Sequence, residues 1–445
     1  MLRIEDLVRV PKIFCHFLLG CLSGMTHLIL PHQLFEVSLL PKAKLYIIWE
    51  HPHYFRKWNY NTKKLILHRA SMRAYCDELR RAGLKVKYVE LGSKATPQGK
   101  METVFDPIDD IDLPEITELD SPNFFLGWDD LDAYRRKTKK YSFAGFYNFG
   151  RKVVGHLVGV PSQDKRNRNK PGENPPRIPR FGGGKYLKEA IAYVEKNFPN
   201  NYGDSEDFWL PITREEARIM LRDFMRKRFA KFGKYQDSIS KKHDFMFHSC
   251  LSSSLNIGLL NPSDILAEMM KVKGKVSLAS YEGFYRQLFW REYQRYCYIW
   301  RRDWGYKGNY FGGRKKLGEG WWKGTVGNDL IDFTIKKGWH LAYLHHIERL
   351  MIVGNYMLLS GVHPREGFKW FMEFSCDSYE WVMHQNVYDM VFHVSGGKTM
   401  RRPYISSSNY LLKMSDWKRG EWADEWDELY RKFVKKHRRK LRVYG

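Results

Sequence analysis

The chain has 445 residues, 43% hydrophobic and 16% aromatic, too apolar for a disordered chain and long enough for two domains around a large ligand. Its 75 Lys and Arg against 50 Asp and Glu give a formal net charge of +25, a field that draws polyanions, nucleic acid being the commonest and a ribosome-associated or anionic-lipid-binding protein the alternative. Charges mixed along the whole length argue against a membrane protein. Six cysteines without a CxxC pair (Cys15, Cys21, Cys76, Cys250, Cys297, Cys376) exclude a disulfide framework and a cysteine-held metal, and point to a reducing compartment.

Residues 1–24 place Arg3, Arg9 and Lys12 before an apolar run, Ile13 to Leu22, too short to span a bilayer. Met25 directly precedes the first strand signal, so this part reads as an extension, a signal or transit peptide being the alternative. His27–Leu30 and Ala43–Trp49 predict parallel strands. Between Lys63 and Gly83 the helical spacing of Leu67, Ala70, Met72, Tyr75, Leu79 and Ala82 predicts a helix capped by Gly83, and Lys85–Leu91 alternates as a strand. This rhythm predicts an α/β domain over residues 25–155. Residues 161–184 are rich in Pro, Gly, Asn and basic side chains and predict an interdomain linker, set at 156–185. Its Lys165, Arg166, Arg168 and Arg180 are candidates for following a phosphate backbone, an ordinary surface loop being the alternative. From residue 186 to 445 helical spacing dominates, as in Ala217–Phe232, Tyr281–Tyr298 and Leu341–Leu359, so the second domain reads as all-α and aromatic-rich.

No Walker A loop, HExxH or nucleophile elbow is present, and the glycines Gly182 to Gly184 lack the spacing of a dinucleotide fold. FHSCLSSSLNIGLL, from Phe247 to Leu260, offers hydroxyls and backbone N–H groups at a helix start. They suit a pyrophosphate, and Ser252 and Ser254 serve equally as plain caps. His345 and His346, in an apolar stretch read as helical, could move a proton on a bound base or could pack in the core. Trp290, Trp300, Trp304, Trp321, Trp322, Trp339, Trp370 and Trp381 could stack on bases or pass electrons, most of them being core.

Taken in order, HPHYFRKWNYNTKKLILHRASMRAY (His51 to Tyr75), FGKYQDSI (Phe232 to Ile239), FHSCLSSSLNIGLL, RQLFWREY (Arg286 to Tyr293), AYLHHIERLMIVGNYMLLSGV (Ala342 to Val362), EWVMHQNVYDM (Glu380 to Met390) and RPYISSSNYLLKMS (Arg402 to Ser415) resemble the photolyase and cryptochrome superfamily. The resemblance is to its photolyase-related branch typified by bacterial iron-sulfur (6-4) photolyases. It implies a Rossmann-like α/β antenna domain, a linker and an all-α domain that holds FAD, with a second antenna chromophore as an option. By resemblance the FAD pocket comprises Tyr235, His248, Ser249, Ser252, Ser254, Leu255, Asn256, Gln287, Arg291, His345 and Asn386. Asn386 would stand near the flavin N5. His345, His346 and Tyr404 match active-site residues, and Trp322 and Trp370 match electron-transfer aromatics.

The implied activity is light-driven repair of ultraviolet-damaged DNA, at a (6-4) product or a cyclobutane dimer, by a monomer in an intracellular DNA-containing compartment. A cryptochrome-like photoreceptor and a flavin-free nucleic-acid-binding descendant are the rivals. The relatives' cluster cysteines are missing from the tail KMSDWKRGEWADEWDELYRKF and from the neighbourhood of Asp329 and Leu330, so no iron-sulfur cluster and no other metal is expected. HVSGG (His393 to Gly397) lacks an acidic residue before its glycines, and Phe371 stands where an electron-transfer tyrosine is expected.

Overall fold

A computed structural model of the chain describes residues 24–92, 101–164, 168–182 and 184–444. Strands β1 (Thr26–Ile29), β2 (Leu45–Trp49), β3 (Val86–Val89), β4 (Thr103–Phe105) and β5 (Thr117–Leu119) form one parallel sheet in the order β3-β2-β1-β4-β5. Register runs Leu28 to Ile47, Tyr46 to Val86 and Leu28 to Val104. The three strands expected from sequence are there. β4 and β5 are too short to show alternation and leave no periodic signal.

The predicted helix spans Thr62–Arg81, with the Asn61 side chain accepting from Lys63 N at 2.9 Å and Gly83 at φ +79° past its end. Most of it is buried, including Lys64, His68 and Arg69, because it lies between the sheet and the helical half of the chain. Asn61 Nδ2 donates to Trp339 O at 2.8 Å, His68 Nε2 pairs with Tyr379 OH at 2.8 Å, and Arg69 meets Glu50 at 2.6 Å. Asn61 and His68 thus find partners in the helical half and Arg69 finds one beside the sheet, as burial of polar groups requires.

Helices carry the rest. The longest, Leu278–Lys307, is covered by Phe143–Val154 at a close crossing. Phe143 stacks on Trp290 with centroids 3.7 Å apart, and a Cβ on Gly150 would lie 2.1 Å from Phe289 Cε1. The stretch predicted as Ala217–Phe232 is two helices, Arg214–Lys227 and Phe229–Tyr235, which meet at Arg228, whose buried guanidinium turns inward to Asp223 and His248 O. The tail helix Glu421–Lys436 docks through buried Trp422 and Trp426, and Asn328 Nδ2 reaches Trp422 O at 3.1 Å. Among the described residues no helix is long and apolar enough to cross a membrane, and no group of His, Cys, Asp and Glu could hold a metal ion.

One expectation is corrected. Leu341–Leu359 is not a continuous helix: Asp329–Leu341 ends at Ala342, left-handed at φ +51°, and Tyr343 to His345 lie outside any helix. Helical turns resume at His346 and continue as a π-helix, Glu348–Gly354, before Asn355–Leu359. Apolar spacing carries through such a break unchanged. Leu341 O and Ala342 O are instead taken by Trp209 Nε1 at 3.0 Å and Cys376 N at 2.9 Å, so tertiary partners pay for the interruption.

Candidate cofactor-binding and active site

The break at Ala342 turns the two histidines into a cavity of about 260 Å³ inside the helical half. One wall is the loop before the short helix Ser252–Asn256, held by Arg228 Nη1 donating to His248 O at 2.7 Å, with Cys250 strained at φ +59°. The second wall is Leu278–Lys307, which presents Gln287, Trp290, Arg291 and Gln294. The third includes a further π-helix, Gln385–Val391, with Asn386. Both π-helices lie against each other here: a Cβ on Gly354 would sit 2.6 Å from Val391 Cγ2. Such wide turns recur at functional sites.

Of the residues expected to hold a flavin, His248, Ser249, Ser252, Leu255, Asn256, Gln287, Arg291, His345 and Asn386 line this cavity, and so does His346. Tyr235 does not: it stacks on Phe247 at 5.0 Å, and its hydroxyl donates to Glu173 at 2.9 Å. Ser254 is buried behind the lining with no partner for its hydroxyl. Tyr404 stands outside the lining, half-buried beside the charges of Asp164, Arg168, Asp237 and Arg286. Lys165 and Arg166 lie outside the described residues. Arg168 and Arg180 are exposed, 3.9 Å from Asp237 and 3.7 Å from Asp207. Cys15 and Cys21 also fall outside the described residues, whereas the other four cysteines are buried and free.

Electrostatics inside the cavity wall are set by burial. Arg291 is held by Asn123 O and by Asn256 Oδ1 at 3.0 Å, over the rings of Phe124 and Trp381, without a carboxylate partner. Desolvation pushes its guanidinium down to about 9, and its Nη2 has no acceptor. An anion in the cavity would satisfy both. Burial would raise the Asp377 carboxyl, but Arg349 at 2.9 Å, with the hydroxyls of Ser252 and Ser375, holds it below the usual carboxylate range. The imidazoles of His248 and His345 stack at 4.3 Å, and burial lowers both, so they are neutral at physiological pH. Glu348 fixes this turn: it accepts from His345 N at 3.2 Å and pairs with the buried Lys337 at 2.7 Å. Its carboxyl is nonetheless pushed up by burial.

His346 has an exposed surface that lines the cavity, yet lies deep in the fold, and desolvation takes its imidazole down to about 4. A planar ligand would keep it dry, whereas water in the cavity would soften the shift. Asn386 Oδ1 accepts from Gln294 at 2.9 Å and its Nδ2 donates to Val382 O at 2.9 Å, leaving one amide hydrogen for a ligand. Unpartnered Gln236 Oε1, an acceptor, and His345 Nδ1 lie on lining residues, and with Arg291 Nη2 and the spare Asn386 amide hydrogen they make a polar set that fits an anionic, heteroaromatic group such as FAD.

Aromatic rings lead away from Phe371 in the cavity wall. Trp370 follows at 5.2 Å, then Trp339 at 6.2 Å, Tyr202 at 5.4 Å from Trp339, and half-buried Trp322 at 6.2 Å from Tyr202. Tyr202 belongs to a segment remote in sequence, and no motif announces it. Arg349 and Asp377 were likewise invisible in sequence as a cavity pair, since ordinary surface residues have the same composition.

A parallel sheet joined to a helical half with an anion-ready cavity defines a protein of α/β plus all-α construction. The chain belongs to the photolyase-related family: the profile described as deoxyribodipyrimidine photo-lyase-related protein matches residues 27–117 and 112–210, and a (6-4) photolyase of Agrobacterium fabrum is 30% identical over 431 residues, 86% of this chain and 85% of that relative. An uncharacterised protein of Acanthamoeba polyphaga mimivirus is 52% identical over 85 residues, 19% of this chain and 69% of its own. In fold the chain is similar to a bacterial class III photolyase from Agrobacterium tumefaciens, with a TM-score of 0.59 at 14% identity over 95% of this chain and 89% of the other.

Proposed function

We propose that the protein is a photolyase-type lyase that binds FAD in this cavity and repairs ultraviolet-induced pyrimidine lesions in DNA with light. The observation that carries the reading is the gathering of nine residues of the family's flavin set, from four separate chain segments, around one cavity with an unpaired buried arginine. The 30% identity to a (6-4) photolyase supports the same reading.

Reduced FAD bound there would supply an electron donor that light can activate. The chain's own residues have separate tasks. Arg291, with the Ser249 and Ser252 hydroxyls, binds the anionic part, a charge-assisted contact stronger than a neutral hydrogen bond. Asn386 directs an amide hydrogen at the ring edge. Neutral His346 takes a proton at a base entering the cavity and, as the imidazolium so formed, returns it, and the surrounding apolar wall limits water. Phenylalanine at 371 cannot ionise, so Trp370 is the first readily oxidised ring on the series toward Trp322.

The test is repair of two defined oligonucleotides, one with a (6-4) product and one with a cyclobutane dimer, by protein carrying reduced FAD in blue light and in darkness. Light-dependent restoration of either lesion is expected. Bound, photoreducible FAD without repair of either would defeat the repair reading in favour of a photoreceptor.

A further inference from the structure

A second groove, of about 1090 Å³, opens beside the cavity and shares Trp290 with it. Its walls are residues 139–144, leading into the helix Phe143–Val154, and the turn 396–402, with Tyr444 at the rim. Lys139, Lys140, Lys398, Arg401 and Arg402 line it, and no Asp or Glu does. Among the described residues none of these five cations is paired with a carboxylate, whereas Arg168 and Arg180 of the linker each have one within 4.0 Å. The nearby carboxylate of Asp389 faces inward, taken by Ser395 N at 2.9 Å and by Thr399 Oγ1. The HVSGG turn makes this possible: His393 (φ +51°) pairs with Tyr444 OH at 2.8 Å, and Gly396 and Gly397 have φ +64° and +100°.

Rings are interleaved with the charges. Lys398 Nζ lies 4.8 Å from the Trp304 ring, Tyr141 lies 5.6 Å from the same indole, and the Phe143–Trp290 stack stands where groove and cavity meet. Unpaired cations alone would suit any phosphate backbone. Cations alternating with aromatic rings suit unpaired bases, because each base offers a π face that a paired duplex keeps stacked.

We infer that this groove holds a single-stranded stretch of nucleic acid, with phosphates on Lys139, Lys140, Lys398, Arg401 and Arg402 and bases against Trp304 and Tyr141. The inference goes beyond the repair reading, since it concerns undamaged strand and needs neither flavin nor light.

The experiment is fluorescence anisotropy of the full chain, in the dark, with labelled undamaged oligothymidylate and with a duplex of equal length, across a salt titration. The single strand should bind more tightly than the duplex. Combining Lys398→Ala, Arg401→Ala and Arg402→Ala should weaken it at least tenfold and reduce the log–log salt slope by about 2, from three lost contacts at about 0.7 each. Trp304→Leu should weaken it roughly fivefold with the slope unchanged, because stacking releases no counterions. Should the triple variant melt early, Lys139→Ala with Lys140→Ala, both exposed, replaces it with an expected slope loss of about 1.4. Tighter duplex binding, or wild-type affinity and slope in these charge variants, would overturn the inference. Lesion repair assayed on the same preparations separates the two readings: repair lost with strand binding intact counts against the repair reading alone.

Discussion

Replacing Lys337 by Met tests the electrostatic design of the histidine turn. Lys337 and Glu348 are 5% and 2% exposed and 2.7 Å apart, and Glu348 also anchors His345 N. Methionine fills the lysine's volume but leaves Glu348 buried without a counterion, a change that costs about 3 to 5 kcal/mol at such sites. The pH dependence carries the sign. Burial already raises the Glu348 carboxyl, and loss of Lys337 raises it further, so the native variant keeps a proton that the unfolded chain releases above its ordinary pKa of about 4.3. Its deficit should therefore be greatest at pH 7.5 and shrink toward pH 5. Urea unfolding followed by circular dichroism at both pH values measures this. Adding Glu348→Gln removes the stranded charge, keeps an acceptor for His345 N, and should recover most of the loss. A deficit below about 1 kcal/mol, or one that does not change with pH, would refute the assignment of a buried, mutually dependent pair.

Burial holds His27 and His32 down to about 3 and His384 down to about 4, so they stay neutral in the fold while the unfolded chain takes up protons below pH 6.5; stability should fall as pH drops from 6.5 toward 4. His384→Gln, which can still donate to Arg302 O, should flatten that part of the pH profile by up to about 3 kcal/mol. Gly150→Ala places a methyl against Phe289 and should lower stability by about 1 to 3 kcal/mol in thermal melts, with the loss relieved by Phe289→Leu. Arg291→Met should cut FAD affinity by about tenfold or more, read by flavin fluorescence on titration, without a matching loss of apoprotein stability, since it also removes a buried unpaired charge.

The α/β half was legible in outline because its first two strands are continuous apolar runs, while its third strand alternates and its long helix repeats apolar residues over enough length to declare a period. Three-residue β4 and β5 declare none, yet they complete the sheet. In the helical half, the Phe247–Leu260 segment and the Arg291 and Asn386 positions could be picked out by motif, but nothing in their composition says that they share a cavity. Tyr235 shows the converse: it sits in a matching motif, yet its ring turns to Phe247 and its hydroxyl to Glu173.

What the amino-acid sequence determines by itself is the local and the additive: the positive field, the periodic elements, the caps at Asn61 and Gly83, and the family motifs. Tertiary structure alone decides where periodicity is overridden. Ala342 leaves the helical region because Trp209 and Cys376, far away in sequence, satisfy the carbonyls released there, and that departure aims His345 and His346 into the cavity. The ring series through Tyr202 and the carboxylate-free groove of Lys398, Arg401 and Arg402 arise in the same way, from segments that become neighbours only when the chain is folded.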